Sequence, residues 1–110
     1  MKELKTVTEW YEVLEQSKEN PLFVLKHSTT CPVSAAAYNA FESSAVEVPK
    51  YFLEVQDSRP VSNEIESNLH VEHQSPQLFL VKDGQAIWQA THYSISGSKI
   101  GKALEEYGSN

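Results

Sequence analysis

The 110-residue sequence contains a single cysteine, Cys31. One thiol excludes an internal disulfide framework, a cysteine-rich zinc site and a CxxC dithiol, and it leaves open a mixed disulfide with a partner thiol. Basic residues are also few, since nine Lys and Arg stand against fifteen Asp and Glu, for a formal net charge of -6. Because an acidic chain repels a phosphate backbone, we expect no nucleic-acid partner.

Long apolar runs are missing as well. No segment approaches the ~18 apolar residues that a membrane helix needs, and the stretch from Met1 to Val7 lacks the apolar core of a signal peptide. We therefore expect no membrane association and a reducing, cytoplasmic setting. With 40% hydrophobic residues, the length suits one compact domain, residues 1–110, that folds without cross-links.

The first half of the chain alternates helical and strand patterns. Thr6 and Glu9 form a capping-box signature, which predicts a helix from Val7 to Lys18. The nearly continuous apolar run from Leu22 to Leu25 is typical of a central strand covered on both faces. A second helix is predicted to begin at Pro32, because proline suits the first helical position. Helical spacing gives that helix a predicted inner face of Val33, Ala36, Ala37, Ala40 and Phe41.

The alternation continues to about residue 70. Tyr51 to Val55 is rich in strand-forming residues, and an apolar residue recurs at every fourth position after Pro60, which predicts a short helix. A further first strand is possible at Glu3 to Thr6. Strands that alternate with helices pair in parallel through right-handed crossovers.

The second half of the chain follows a different pattern. Asp83-Gly84 separates two apolar runs, Gln77 to Val81 and Ala86 to Thr91, and predicts an antiparallel hairpin. Ser96 is placed to cap a last helix, in which Ile95 and Ile100 form a hydrophobic staple. The predicted class is α/β, with a mixed sheet that is parallel in its first half, ends in an antiparallel hairpin and is flanked by helices. This order resembles a thioredoxin-like fold.

Cys31 lies where the predicted central strand passes into the helix at Pro32. A sulfur at that point faces unpaired N–H groups and the positive end of the helix dipole, which stabilise a thiolate. Ser34, one helical turn later, is placed to donate its hydroxyl to that thiolate. The polar neighbours Thr29 and Thr30 favour a functional thiol over the alternative, a small buried hydrophobic side chain.

Ser75-Pro76 directly precedes the hairpin. A proline there is tolerated at the first position of a strand or in a special turn with a cis peptide bond. We expect the bond to be cis and to face Cys31, the alternative being an ordinary proline that opens a strand.

These features together resemble one family, the monothiol bacilliredoxins of the YtxJ type. The resemblance rests on five stretches of the chain, residues 27–34, 53–56, 61–65, 72–77 and 88–92. It implies a thioredoxin-fold thiol-disulfide oxidoreductase that removes bacillithiol from protein mixed disulfides, with Cys31 as the nucleophile. The supporting residues that it implies are Thr30, Pro32, Ser34 and Pro76.

The resemblance also implies the partners. No permanently bound cofactor is expected, bacillithiol is the co-substrate, and the partners are bacillithiolated proteins. Because the chain has no resolving cysteine, a second low-molecular-weight thiol must regenerate Cys31. The candidates for contacts to the polar groups of the thiol are His27, Arg59, Ser75, Gln77 and His92, together with residues near Tyr93 to Ser96.

Several of these side chains have simpler interpretations. Arg59 can equally be a solvated charge on the surface that binds no substrate. His27 either favours the Cys31 thiolate electrostatically or is a hydrogen-bonded histidine at the end of the sheet. His70 and His73 are three residues apart but lack further ligands nearby, so we expect two exposed loop histidines and no metal.

Two other functional classes remain open from the sequence. Monothiol proteins of this fold can bridge a [2Fe-2S] cluster between two subunits, each of which supplies one cysteine and a small-molecule thiol. Alternatively, the chain is a non-catalytic stress or adaptor domain in which the thiol is incidental.

Overall fold

The computed structural model describes residues 1–108, so the last two residues of the predicted domain lie outside it. The described chain forms five strands and four α-helices, which alternate up to the fourth strand, and one 3₁₀ turn precedes the last helix. In chain order they are β1 Lys2–Glu3, α1 Val7–Gln16, β2 Leu22–His27, α2 Pro32–Ser43, β3 Lys50–Glu54, α3 Arg59–Leu69, β4 Gln77–Lys82, β5 Gln85–Thr91, the 3₁₀ turn His92–Ser94 and α4 Gly97–Tyr107.

The strands form one mixed sheet in the order β1-β3-β2-β4-β5. β1 and β2 both pair in parallel with β3, whereas β4 pairs antiparallel with β2 and with β5. The predicted class, parallel in its first half with an antiparallel hairpin at its end, is therefore confirmed. None of the helices within residues 1–108 combines the length and the apolar character needed to cross a bilayer.

β2 lies at the centre of the sheet and is buried on both faces. Its side chains alternate between two apolar clusters, because successive residues of a strand point to opposite faces. Leu22 and Val24 join Trp10 of α1 and Ile65 of α3 in one cluster. The second cluster, on the other face, contains Phe23, Leu25, Ala37, Phe41, Ile100 and Ala103 from β2, α2 and α4.

The predicted helix caps are present. The Thr6 side chain accepts a hydrogen bond from Glu9 N–H at 3.1 Å, and the Glu9 carboxylate accepts one from Thr6 N–H at 3.0 Å. The Ser96 side chain accepts a hydrogen bond from the N–H of Lys99 at 3.2 Å. Reciprocal capping bonds of this kind satisfy backbone donors that a helix start leaves unpaired.

The Asp83-Gly84 hairpin is confirmed as well. Both residues have positive φ angles, 52° and 72°, as a tight two-residue turn between antiparallel strands requires. The N–H of Asp83 donates to the Ser17 carbonyl at 2.8 Å, and the N–H of Gly84 donates to the Ser17 hydroxyl at 2.9 Å. These contacts attach the hairpin to the end of α1, which stops at Gln16 rather than at Lys18.

Besides the end of α1, two details of the prediction were wrong. The first strand is Lys2–Glu3 rather than Glu3 to Thr6, because Thr6 is used as the cap of α1. The inner face of α2 is made of Ser34, Ala37 and Phe41, and Ala36 is exposed. Hydrophobicity alone favoured Ala36 over Ser34, but a hydroxyl can be buried where it finds hydrogen-bond partners.

Candidate functional site

Cys31 is the N-cap residue of α2, at the end of the short loop that follows β2. Its backbone is extended, with φ -107° and ψ 121°, and its side chain makes no capping hydrogen bond. The residue is partly exposed and its thiol is free. The sulfur is therefore not engaged in any capping contact at the helix start.

The loop before Cys31 is held by Gln56, which follows β3. Thr29 N–H donates to the Gln56 side-chain oxygen at 3.2 Å. The Gln56 amide nitrogen donates to the hydroxyls of Ser28 at 2.8 Å and Thr30 at 3.2 Å. Sequence reasoning assigned Gln56 no role. Because parallel strands β2 and β3 end at the same edge of the sheet, their order alone brings residue 56 to this loop.

Ser34 is fully buried and its hydroxyl is hydrogen-bonded to His27 and Ser28 rather than to the Cys31 sulfur, so the predicted hydrogen bond was wrong. Its hydroxyl accepts from Ser28 N–H at 2.8 Å and lies 2.9 Å from His27 Nδ1. Ser34 therefore fastens the start of α2 to the end of β2.

Of the two interpretations of His27, the structure favours the hydrogen-bonded histidine at the end of the sheet. Its ring lies 4.8 Å from the Tyr38 ring, centroid to centroid, and its Nδ1 is hydrogen-bonded to the Ser34 hydroxyl. Burial lowers the His27 pKa below its ordinary value, so the imidazole is neutral at neutral pH. An imidazolium charge beside Cys31 is not favoured.

The Ser75–Pro76 peptide bond is cis, as predicted. Lys26 pairs with Gln77 in the antiparallel register, so Pro76 lies at the end of the sheet where β2 passes into the loop of Cys31. The N–H of His92 donates to the Pro76 carbonyl at 3.1 Å, which brings the 3₁₀ turn to the same place. The Ser75 hydroxyl oxygen is buried and has no hydrogen-bond partner among the described residues.

Gln77 does not fit its predicted role. The side chain is fully buried, and its amide nitrogen donates to the Glu72 carbonyl at 3.1 Å and to the Gln89 side chain at 2.9 Å. Its oxygen accepts from Gln74 N–H at 3.1 Å. Because each polar atom of the amide already has a partner, Gln77 supports the loop before Pro76 rather than a substrate.

A buried polar cluster stands behind that loop. Lys26 is fully buried, and its Nζ lies 3.2 Å from Nδ1 of His73. The Ser62 hydroxyl lies 3.3 Å from the same nitrogen, and the Glu66 carboxylate accepts from His73 N–H at 2.6 Å. The expectation that His73 is an exposed loop residue was therefore wrong. A lysine inside an otherwise apolar strand was the available signal for a buried charge.

Charges near this cluster alter its proton affinities. Burial lowers the pKa of Lys26 from 10.5 to about 8, Glu66 opposes that shift, and the Arg59 guanidinium adds to it. Burial, Lys26 and Arg59 also lower the pKa of His73, against Glu66. Arg59 is the exposed first residue of α3. Its charge acts on both Lys26 and His73.

His70 behaves as predicted, as an exposed histidine that ends α3 in a left-handed conformation. Among residues 1–108, no group of three His, Cys, Asp or Glu side chains comes together in a way that could hold a metal ion. A groove of about 440 Å³ runs past Gln74, Gln89 and Thr91, and Cys31 is not part of its lining. We therefore assign that groove no role in the chemistry of Cys31.

Comparison with known proteins identifies both a family and a fold. The family model described as "Monothiol bacilliredoxin BrxC" matches residues 2–100. A solved structure described as a candidate oxidoreductase with a thioredoxin fold is 37% identical, covers 92% of this chain and 90% of its own, and superposes with a TM-score of 0.83.

More distant structures agree on the fold. Thioredoxin from Fasciola hepatica is 14% identical, with 97% of this chain and 99% of that chain covered and a TM-score of 0.77. Thioredoxin from Schistosoma mansoni is 17% identical, with 96% of each chain covered and the same TM-score. The predicted thioredoxin-like fold is confirmed by these similarities.

Proposed function

The chain belongs to the monothiol bacilliredoxin family and is a thiol-disulfide oxidoreductase, and we propose that it removes bacillithiol from protein mixed disulfides with Cys31 as the nucleophile. The observation that carries the proposal is the place of Cys31. The sole thiol of the chain is partly exposed at the first turn of α2, with no hydrogen bond to occupy it. A thiol in that position is accessible to a disulfide of another molecule.

The reaction proceeds by two exchanges. The Cys31 thiolate attacks the bacillithiol sulfur of the mixed disulfide, and the sulfur–sulfur bond to the protein breaks. The protein leaves as a thiolate, which takes up a proton, and bacillithiol stays on Cys31 as a new mixed disulfide. A second molecule of low-molecular-weight thiol then attacks the bacillithiol sulfur, restores the Cys31 thiolate and leaves as a small disulfide.

The second exchange must come from outside the chain. With one cysteine in the sequence, no internal thiol can resolve the adduct, and Ser34 occupies the position where a resolving cysteine would otherwise stand. A pool of reduced thiol in the cytoplasm supplies the second molecule. Bacillithiol is thus a co-substrate, and no bound cofactor takes part in either exchange.

We propose that the substrate lies along the Ser75–Pro76 backbone. An extended chain can pair with the backbone N–H and C=O of Ser75 in the manner of an added strand, which fixes the disulfide for in-line attack by Cys31. The Ser75 hydroxyl, His92 and the backbone of the 3₁₀ turn are the candidates for the polar groups of bacillithiol. Thr30 and Pro32 adjoin Cys31 in the chain, and the exposed Arg59 is a further candidate.

The test compares two mixed disulfides of one carrier protein, one with bacillithiol and one with glutathione. We expect the protein to free the carrier thiol from the bacillithiol form at least tenfold faster, and the Cys31→Ser variant to free neither. Equal rates would assign the chain to general thiol exchange rather than to bacillithiol.

An anaerobic absorption spectrum provides a second arm. Visible bands from a bound cluster in the purified protein would favour the [2Fe-2S] alternative. A wild-type protein that frees neither carrier would favour the adaptor alternative.

A further inference from the structure

We infer that His73 is a positioning residue for disulfide exchange: its imidazole, held by buried Lys26, fixes the loop that carries the Ser75–Pro76 peptide. The inference rests on the proposed role of Cys31, because it concerns the loop along which the substrate lies. It assigns a task to a buried lysine and a half-buried histidine that the exchange steps themselves do not use.

The hydrogen bonds show how the loop is held. The backbone of His73 donates to the Glu66 carboxylate at 2.6 Å, and its ring nitrogen lies 3.2 Å from Lys26 Nζ. Gln74 N–H then donates to the Gln77 side chain at 3.1 Å. The loop is thus attached to α3, to β2 and to the start of β4 within the three residues that precede Pro76.

The hydrogen bond between Lys26 and His73 requires one protonation state of the His73 imidazole. A lysine ammonium can only donate, so Nδ1 of His73 must accept, and the ring proton sits on Nε2. The Ser62 hydroxyl, 3.3 Å from the same nitrogen, is a second donor on that side. The imidazole therefore holds the loop only while it is neutral.

Protonation of His73 would reverse this contact. A ring N–H would then face the Lys26 ammonium at hydrogen-bond distance, with two positive charges in a buried site. Arg59 on α3 adds a third positive charge and Glu66 a single negative one, and these are the charged groups that act on both members of the pair. We expect acidification to release the loop before it affects the rest of the sheet.

The first experiment compares three variants at pH 7.5, with exchange against a bacillithiol-peptide disulfide and alkylation of Cys31 by iodoacetamide as separate readouts. His73→Leu removes the acceptor, and we expect exchange to slow at least tenfold while alkylation stays within twofold of wild type. His73→Asn supplies an oxygen acceptor that does not titrate, and we expect it to restore exchange. His70→Asn, an exposed left-handed position that tolerates Asn, is the matched control and changes neither readout.

The second experiment measures the ratio of the wild-type and His73→Asn exchange rates from pH 8 to pH 5.5. We expect a ratio near one above pH 7 that falls in acid as the imidazole becomes protonated, along the titration of His73 followed by NMR. The ratio removes every pH effect on the exchange rate that the two proteins share.

The outcomes separate this inference from the proposed function. Exchange by His73→Leu within twofold of wild type would overturn the positioning role. If that variant fails to fold, a pH ratio that stays flat overturns it instead, and a falling ratio supports it. Failure of the proposed function would appear as a wild-type protein that frees no bacillithiol carrier, or as a Cys31→Ser variant that still frees it. In either case the amide NMR signals of Gln74 and Ser75 still report whether His73 holds the loop.

Discussion

Replacement of Lys26 by methionine tests the electrostatics of the buried cluster. Methionine has a similar length, is unbranched and flexible, and carries no charge, so it fills the same space in β2. The Lys26 side chain is fully buried, and its Nζ has His73 Nδ1 as its hydrogen-bond partner. The substitution therefore removes one buried charge and one hydrogen bond.

The magnitude follows from the pKa of Lys26, which is lowered from 10.5 to about 8 in the folded protein. A tenfold change in proton affinity corresponds to about 1.4 kcal/mol, so the ammonium form costs the fold at most roughly 3 kcal/mol at pH 7. Loss of the hydrogen bond to His73 reduces this gain in unfolding free energy by about 1 kcal/mol. We expect Lys26→Met to raise the unfolding free energy by about 1 to 2 kcal/mol at pH 7.

The sign of the pH dependence gives a second readout. Because the folded pKa of Lys26 lies below the unfolded one, the unfolded chain binds the proton more tightly between about pH 8 and pH 10.5. The wild-type unfolding free energy therefore gains a contribution from Lys26 as the pH rises through this window. Below about pH 8 both states hold the proton, and the contribution has no slope.

Urea unfolding under reducing conditions at pH 7, 8.5 and 10 measures both effects. Lys82→Met, in the neighbouring strand β4 but with a half-exposed side chain, controls for the loss of one lysine charge. The advantage of Lys26→Met over wild type must shrink as the pH rises. A variant less stable than wild type at pH 7, with a difference that does not change by pH 10, would refute the reasoning.

Four further substitutions test other parts of the account. Cys31→Ser is expected to abolish exchange and to leave the unfolding free energy within about 1 kcal/mol, because serine is a favoured N-cap residue; a large loss of stability would indicate a structural cysteine. Ser34→Ala should cost about 1 to 3 kcal/mol in urea unfolding, since it leaves the partly buried N–H of Ser28 without its acceptor, whereas Ser43→Ala at the exposed end of the same helix should cost little. Gln56→Ala should slow exchange several-fold in a stopped-flow assay with a change in stability below about 1 kcal/mol, because its hydrogen bonds are exposed. Gly101→Ala should raise the melting temperature, since it gains up to about 1 kcal/mol of helix propensity and a Cβ there meets nothing within 4 Å.

Local patterns were sufficient to predict most of the fold. The capping box of Thr6 and Glu9, the Asp83-Gly84 turn and the Ser96 cap each depend on residues within a few positions of one another. Short-range hydrogen bonds and backbone angles dictate such features, so the residue types alone reveal them. The first strand was misplaced because Thr6 suits both a strand and a helix cap, and the cap prevails.

The contacts at the candidate site were harder to predict, because they join residues that are distant in sequence. Lys26 and His73 are 47 positions apart, and Thr29 and Gln56 are 27 apart. No periodicity links such pairs, and they become visible only once the strand order is known. The role of Ser34 was missed for another reason, since its spacing from Cys31 allowed a contact that His27 and Ser28 take instead.

The central claim is that Cys31 carries bacillithiol as a covalent intermediate. Intact-mass spectrometry of the protein after brief reaction with a bacillithiolated carrier, quenched in acid, tests it most directly. We expect one bacillithiol adduct per chain, located at Cys31 by peptide sequencing and removed by added low-molecular-weight thiol. An unmodified protein after the carrier has been freed, or the same release by Cys31→Ser, would contradict the account.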